Sequence, residues 1–219
     1  RPNIVVHLCG SHGGIHTGTD GSSAQSIEDL AIYRTLPNMT VLHPCDDISA
    51  KALTLALRNH DQPSYMRTAR NKVPRSYSDE SSNELRIGKG FVHRTGDDVA
   101  IIACGVMVNE ALEAAEMLAK SGIQATVVDM HTIKPLDTNL VTELAKRCGA
   151  LVTAEDHSII GGLGGAVAEC LVSHYPVPLE RIGVQDRFGE SGGSDELLEM
   201  LSMKAKNIAD AAQRAISRT

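Results

Sequence analysis

Short apolar runs alternate with helix-like patterns along this chain, and that alternation restricts the fold more than any other feature. Runs rich in Val, Ile or Met fall at Ile4–Leu8, Met39–Leu42, Ser64–Arg67, Val99–Cys104, Ala125–Asp129, Ala150–Ala154 and Arg181–Val184. Such brief, nearly continuous apolar runs suit strands buried on both faces, as in the interior of a parallel sheet. Between them the apolar period changes to that of a helix. Ser22–Gln25 fits a capping box ahead of Ile27, Leu30 and Ala31, and Pro37 stops that helix. Asp46–Asp47 caps "ISAKALTLALRNH", and Val106 to Lys120 carries apolar residues at 108, 111, 112, 115 and 118, with Gly122 placed to end it. Further helices are predicted at Leu136–Arg147, Gly164–Val172, Ser194–Leu201 and Ala205–Ser217. Strict alternation of this kind implies an α/β fold with doubly wound, parallel sheets and helices on both faces.

The alternation breaks once. Residues 71 to about 86, "NKVPRSYSDESSNELR", are polar and aperiodic and contain Pro74 and clustered serines, so they read as an interdomain linker. The expected organisation is therefore a first unit over 1–75, a linker over 76–86 and a second unit over 87–219. The second has enough strands and helices to close a core. The first, with three strands and two helices, makes a thin sheet, and the rest of it is expected upstream or in a partner chain. The opening "RPNIVVHLCG", which has no Met, fits that expectation.

Composition narrows the function classes. At 219 residues, 42% hydrophobic and 22% charged, the chain is an ordinary globular protein, and its net charge of −6 argues against a nucleic-acid surface. No run approaches the roughly 20 apolar residues that span a bilayer, and no signal peptide opens the chain, so it reads as cytosolic. Five cysteines without CxxC spacing read as reduced core residues.

The candidate chemistry lies in "CGSHGGIHTGTDG", Cys9 to Gly21, which follows a strand and precedes a helix. Ligands of parallel α/β sheets bind beyond the carboxyl ends of the strands, where this turn falls. Its glycines permit unusual dihedrals and close approach of a ligand, while His12 and Asp20 offer a donor and an acceptor to a polar substrate. The alternative is a surface loop whose Asp20 and Ser22 cap a helix.

Several segments, in order, resemble the C-terminal half of the transketolase family. They are "SHGGIHTGTDGSSAQSIEDLAIYRTLPNMTVLHPCDD", "PSYMRTARNKVP", "DMHTIKPLD", "AEDHSIIGGLGGAVAE" and "RFGESGGSDELLEML". The resemblance covers essentially the whole chain and is nearest to the C-terminal subunit of a split transketolase. It implies a pyrimidine-binding domain followed by a transketolase C-terminal domain, and thiamine diphosphate and Mg²⁺ held mainly outside this chain. It also implies transfer of a two-carbon ketol unit between sugar phosphates. The expected partner is an N-terminal diphosphate-binding subunit or domain, in a homodimer or α2β2 assembly, with neither nucleic acid nor membrane involved. Carried over by position, His12 holds the sugar phosphate and reaches the reacting centre, Asp20 contacts a sugar hydroxyl, and Arg70 grips the phosphate, a task suited to a permanently charged fork. Arg67 is the weaker alternative, since it is equally suited to a carboxylate near the sheet end.

Two departures stand out. Ala24 occupies a position where the family usually has His or Gln, and Thr19 replaces an acidic residue, which puts substrate identity in question; Gln25 points about 100° away and His16 is the other neighbour. The family's catalytic glutamate lies some dozens of residues before the His12 motif, so this chain alone is expected to be inactive. "GGLGGAV" reads as close packing at a helix start rather than a dinucleotide site, and "EDH", Glu155 to His157, as a hydrogen-bonded loop rather than a metal site. Two alternatives stay open: a deoxyxylulose-phosphate synthase-like or 2-oxoacid dehydrogenase β-like protein, and a non-catalytic assembly domain.

Overall fold

The computed structural model describes residues 4–219; the start of the first unit at residue 1 lies outside them. Among the described residues nine strands form two sheets. The first contains β1 (His7–Ser11), β2 (Thr40–Leu42) and β3 (Ser64–Thr68), parallel and in the order β1-β3-β2, with β7 (Thr132–Lys134) added antiparallel to β2. The second has the order β4-β6-β5-β8-β9. There β5 (Val99–Ala103), β6 (Ala125–Asp129), β8 (Leu151–Ser158) and β9 (Leu179–Val184) run parallel, and β4 (Phe91–Arg94) lies antiparallel on one edge. The helices are α1 (Asp29–Thr35), α2 (Asp47–Leu57), α3 (Met107–Lys120), α4 (Thr138–Cys148), α5 (Leu163–His174), α6 (Ser194–Met200) and α7 (Ala205–Ile216).

The second sheet is buried on both faces, which is why its strands are apolar without alternation. Along β5 the side chains point alternately to either side. Val99, Ile101 and Ala103 join the core under α3 and α7, while Ala100 and Ile102 join the core under α4 and α5. The second of these cores does not stop at the boundary between units, because Leu30, Val41 and Tyr65 of the first unit pack into it. Asp137 caps α4 by accepting from the Leu140 N–H, and Gly149, in a left-handed conformation at φ 70°, ends it. The Asp46 carboxylate accepts from the Ser49 N–H and completes a capping box at α2.

Two expectations need correction. The α1 helix begins at Asp29 without a side-chain cap, because Gln25 is drawn away: its amide donates to the Gly18 and Glu190 carbonyls, at 3.1 and 2.9 Å. The first strand is shifted to His7–Ser11. The polar segment read as a linker packs closely on the second unit, with Tyr77 and Leu85 buried in that unit's core. Asp46 takes the N–H groups of Ser76 and Tyr77, and the Tyr77 hydroxyl donates to Asp129 at 2.8 Å.

The two antiparallel strands lacked an apolar signature because each is short and lies at a sheet edge. After β6 the chain leaves the second sheet, and within a few residues β7 joins the first. "DMHTIKPLD" therefore ties the units together.

Candidate functional site

The candidate site lies beyond the carboxyl ends of β1 and β3. The turn after β1 is a 3-10 helical segment, Ile15–Asp20, kinked at Gly18. His12 starts it with φ 66°, an uncommon value for a residue with a side chain, and is exposed. Its Nδ1 meets the Ser11 hydroxyl at 2.9 Å.

Asp20 and Arg70 come together. An Arg70 Nη1 donates to the Thr17 carbonyl at 3.0 Å and forms an ion pair with Asp20 Oδ1, also at 3.0 Å, and Thr17 in turn donates its hydroxyl to the His12 carbonyl. All three sequence-predicted residues thus belong to one exposed, hydrogen-bonded rim. Ala24 is exposed nearby. Gln25 is buried and committed to backbone carbonyls, so it offers no replacement for the missing polar group. His16 is half-buried, and its Nδ1 meets no partner among the described residues.

Arg67 is not part of that rim. Its side chain is wholly buried between Asp29, 3.3 Å away, and Asp156, 3.7 Å away. Two carboxylates around one guanidinium need further donors, and they have them: Tyr65 donates its hydroxyl to Asp29 at 2.6 Å, and Asp156 accepts the Ile15 and His16 N–H groups at 2.7 and 3.1 Å. Burial and the Arg67 charge hold the neighbouring His43 and His157 below the usual histidine range.

This ion pair also explains two glycines. A Cβ on Gly13 or Gly14 would strike the Arg67 guanidinium, and on Gly14 also the Asp156 carboxylate. Those positions make room for protein, whereas the sequence had suggested room for a ligand.

"EDH" is the end of strand β8 rather than a loop, and all three residues are buried. Glu155 accepts from the Leu163 and Gly164 N–H groups at the start of α5, at 2.7 and 2.8 Å. Burial pushes its carboxyl up to about 7 against those two donors. Gly162 and Gly164 lie against Glu155, so "GGLGGAV" is close packing at a helix start.

Residues that sequence reasoning left without a role come from the second unit, joined by Asn71 of the first. Ser191 donates to the Thr19 carbonyl at 2.7 Å, Ser194 to the His16 carbonyl at 2.9 Å, and Asn71 to His16 and Ser194 at 2.8 Å each. A pocket of about 520 Å³ adjoins Asn71 and Lys72, walled by Cys45, Asp46 and Val73. Among the described residues no three His, Cys, Asp or Glu side chains group to hold a metal, and no described helix is long and apolar enough to cross a membrane. Four of the cysteines are buried and free, and Cys9 is exposed.

A mostly parallel α/β pair of domains, with a glycine-rich turn carrying His, Asp and Arg at the strand ends, defines the class of α/β proteins whose ligands bind beyond the carboxyl ends of the strands. Known proteins narrow this further. The transketolase pyrimidine binding domain matches residues 1–76 and the transketolase C-terminal domain residues 88–208, and the chain belongs to the transketolase family.

It is 45% identical over 98% of its length to the "6-deoxy-6-sulfo-D-fructose transketolase subunit SqwH" of Clostridium sp. (strain MSTE9), of which it covers 66%. It is 43% identical over 95% of its length to the "Putative transketolase C-terminal section" of Methanocaldococcus jannaschii, of which it covers 65%. The chain therefore spans about two thirds of the length of these relatives. A solved structure described as "Split gene transketolase, inactive beta4 tetramer" superposes with a TM-score of 0.91 at 43% identity, covering 99% of this chain and 69% of that one.

Proposed function

We propose that this chain is part of the C-terminal subunit of a split transketolase. In it, His12, Asp20 and Arg70 bind the sugar from which, or to which, a two-carbon ketol unit is transferred. The 3.0 Å pair of Asp20 and Arg70 carries this reading: a hydroxyl acceptor and a permanently charged anion receptor stand side by side on the rim of a strand-end turn. An N-terminal diphosphate-binding subunit is the partner, and the assembly works in the cytoplasm.

Thiamine diphosphate, held with Mg²⁺ mainly by that partner, supplies the carbon–carbon bond chemistry when bound. The described residues suit the sugar end of such a site and not the cation end, since His12, Asp20 and Arg70 are a donor, an acceptor and an anion receptor without a second carboxylate. In the free chain Asp20 partly neutralises Arg70, so an incoming anion must share the guanidinium with it. Both side chains are partly exposed, about one third each, which keeps that exchange inexpensive. His12 is oriented by Ser11 and can hold or move a proton at Nε2.

The anionic end of the sugar is a phosphate or, as the name of the 45% identical Clostridium relative suggests, a sulfonate. Both present the tetrahedral oxygens that a guanidinium fork matches. The exposed Ala24 leaves more space and one fewer polar contact than the family's usual His or Gln, which points to an acceptor of different shape.

The test is Arg70→Ala in the assembly reconstituted with its diphosphate-binding subunit. Losing charge-assisted hydrogen bonds worth about 1.5–3 kcal/mol should raise KM for phosphorylated or sulfonated sugars by about 10- to 100-fold. The KM for unphosphorylated sugars should change little. Equal effects on both would remove Arg70 from anion binding.

A further inference from the structure

The turn that carries His12 and Asp20 is held in place by the other half of the molecule. Within it, few bonds are its own: Thr17 donates to His12 and Gly13 carbonyls, and short turns close Thr17 on Gly14 and Gly21 on Gly18. The rest of the first unit adds the Gln25 amide on the Gly18 carbonyl, the Ser26 carbonyl on the Gly14 N–H, the Thr68 carbonyl on the His12 N–H, Arg70 on the Thr17 carbonyl and Asn71 on the His16 carbonyl; further bonds to its backbone come from the second unit. Asp156, at the end of β8, takes the N–H groups of Ile15 and His16. Ser194, at the first position of α6, donates to the His16 carbonyl, and Ser191 donates to the Thr19 carbonyl, one residue before Asp20. The Glu190 carbonyl receives the Gln25 amide on the far side of the turn.

These contacts bracket the kink at Gly18 on both sides. The residue at the kink has φ 79° and ψ −119°, a conformation that a free glycine-rich segment would exchange with many others. The clamps therefore select one of the many shapes the glycines permit. Asp156 is rigid in its turn, because Arg67 donates to its carbonyl and faces its carboxylate in a wholly buried site.

We infer that Asp156, Ser191 and Ser194 are positioning residues of the sugar-binding turn, so that the C-terminal domain completes the substrate site rather than serving assembly alone. They act through backbone atoms of residues 15, 16 and 19, and through them on Asp20 and on the Thr17 carbonyl that orients Arg70. The inference rests on the sugar-binding role proposed above for that turn. A loosened turn must be ordered anew each time a sugar binds, and that cost falls on substrate affinity.

The test uses two variants. Ser191→Ala/Ser194→Ala removes the two bonds these exposed or half-buried hydroxyls donate, and the one Ser194 accepts from Asn71, without touching a buried charge. Asp156→Asn sets an amide N–H₂ against an N–H that needs an acceptor. In the reconstituted assembly the serine double variant should raise KM for the phosphorylated ketose about 5-fold, and Asp156→Asn about 10-fold or more, with kcat within about 2-fold. A role in stability alone would lower the active fraction, and hence kcat, and leave KM unchanged; that result overturns the proposal, as does no change in either. If Asp156→Asn does not fold, the serine variant decides by the same criterion.

Amide hydrogen exchange on the chain itself is the readout that does not depend on activity. The Ile15 and His16 amides should lose about 10-fold of their protection in Asp156→Asn while Ile101 and Ile102 in β5 keep theirs. Unchanged protection, or an equal loss throughout both sheets, overturns the proposal. Absence of ketol transfer by the wild-type assembly would instead refute the proposed activity, and the exchange experiment would still decide whether the turn is clamped.

Discussion

Replacing Gly14 with alanine separates the two reasons for a glycine in the turn. Gly14 has φ 82° and ψ 175°, and Gly21 has nearly the same backbone, φ 78° and ψ −177°. Both lie in a region that is essentially reserved for glycine and costs about 1–3 kcal/mol for any other residue. Their surroundings differ. A Cβ on Gly21 would meet only the Ser191 side chain, at 3.5 Å and beyond, which is ordinary contact. A Cβ on Gly14 would overlap the Arg67 guanidinium and the Asp156 carboxylate. Both groups are fully buried, so neither can swing into solvent. The methyl must force the pair apart, and breaking a buried ion pair costs about 3–5 kcal/mol. Gly21→Ala should therefore destabilise by about 2 kcal/mol, and Gly14→Ala by at least about 3 kcal/mol more. Urea unfolding followed by far-ultraviolet circular dichroism, with the denaturant slopes compared, measures the difference. If the two variants lose equal stability, the ion pair does not require the glycine and the reasoning fails.

Two further outcomes are expected. Burial pushes the Asp129 carboxyl up to about 7, with the Tyr77 hydroxyl and Cys45 opposing the rise. Because the folded value lies above the unfolded one of about 3.9, the associated stability is present in full at acid pH and lost as pH rises through about 7, at most roughly 4 kcal/mol. Asp129→Asn should flatten that fall in urea midpoints between roughly pH 4 and pH 7, and an unchanged slope would count against it. Asp46→Ala should cost about 3 kcal/mol, more than an ordinary lost cap, because the same carboxylate also serves the Ser76 and Tyr77 N–H groups. A loss near 1 kcal/mol in thermal unfolding would show that the linker is not held by it.

Where the structure agrees with the sequence, the signal was local. The parallel strands, the cap at Asp46 and the glycine after α3 each depend on residues within one or two turns of one another. The strands β4 and β7 escaped notice because an edge strand of three or four residues needs neither a long apolar run nor strict alternation. The Ser22–Gln25 pattern misled because a side chain serves only one partner set, and Gln25 is committed elsewhere. In the candidate site, His12, Asp20 and Arg70 were legible from a resemblance of motifs. "AEDHSIIGG" and "RFGESGGSDELL" were visible as motifs too, but nothing in their spacing said that Asp156 and Ser194 would reach the turn.

The sequence by itself determined that this is an α/β chain of the transketolase type, and which short segments become strands and helices, because periodicity and capping act over a few residues. Only the tertiary structure decided that Arg67 is a buried strut and Arg70 stands exposed on the rim, although both belong to the same "RTAR". It also decided that two glycines of the turn make way for that strut. The physical reason is distance along the chain: Asp156 meets Ile15 across 141 positions and Ser194 meets His16 across 178. Such contacts exist only after both sheets have packed.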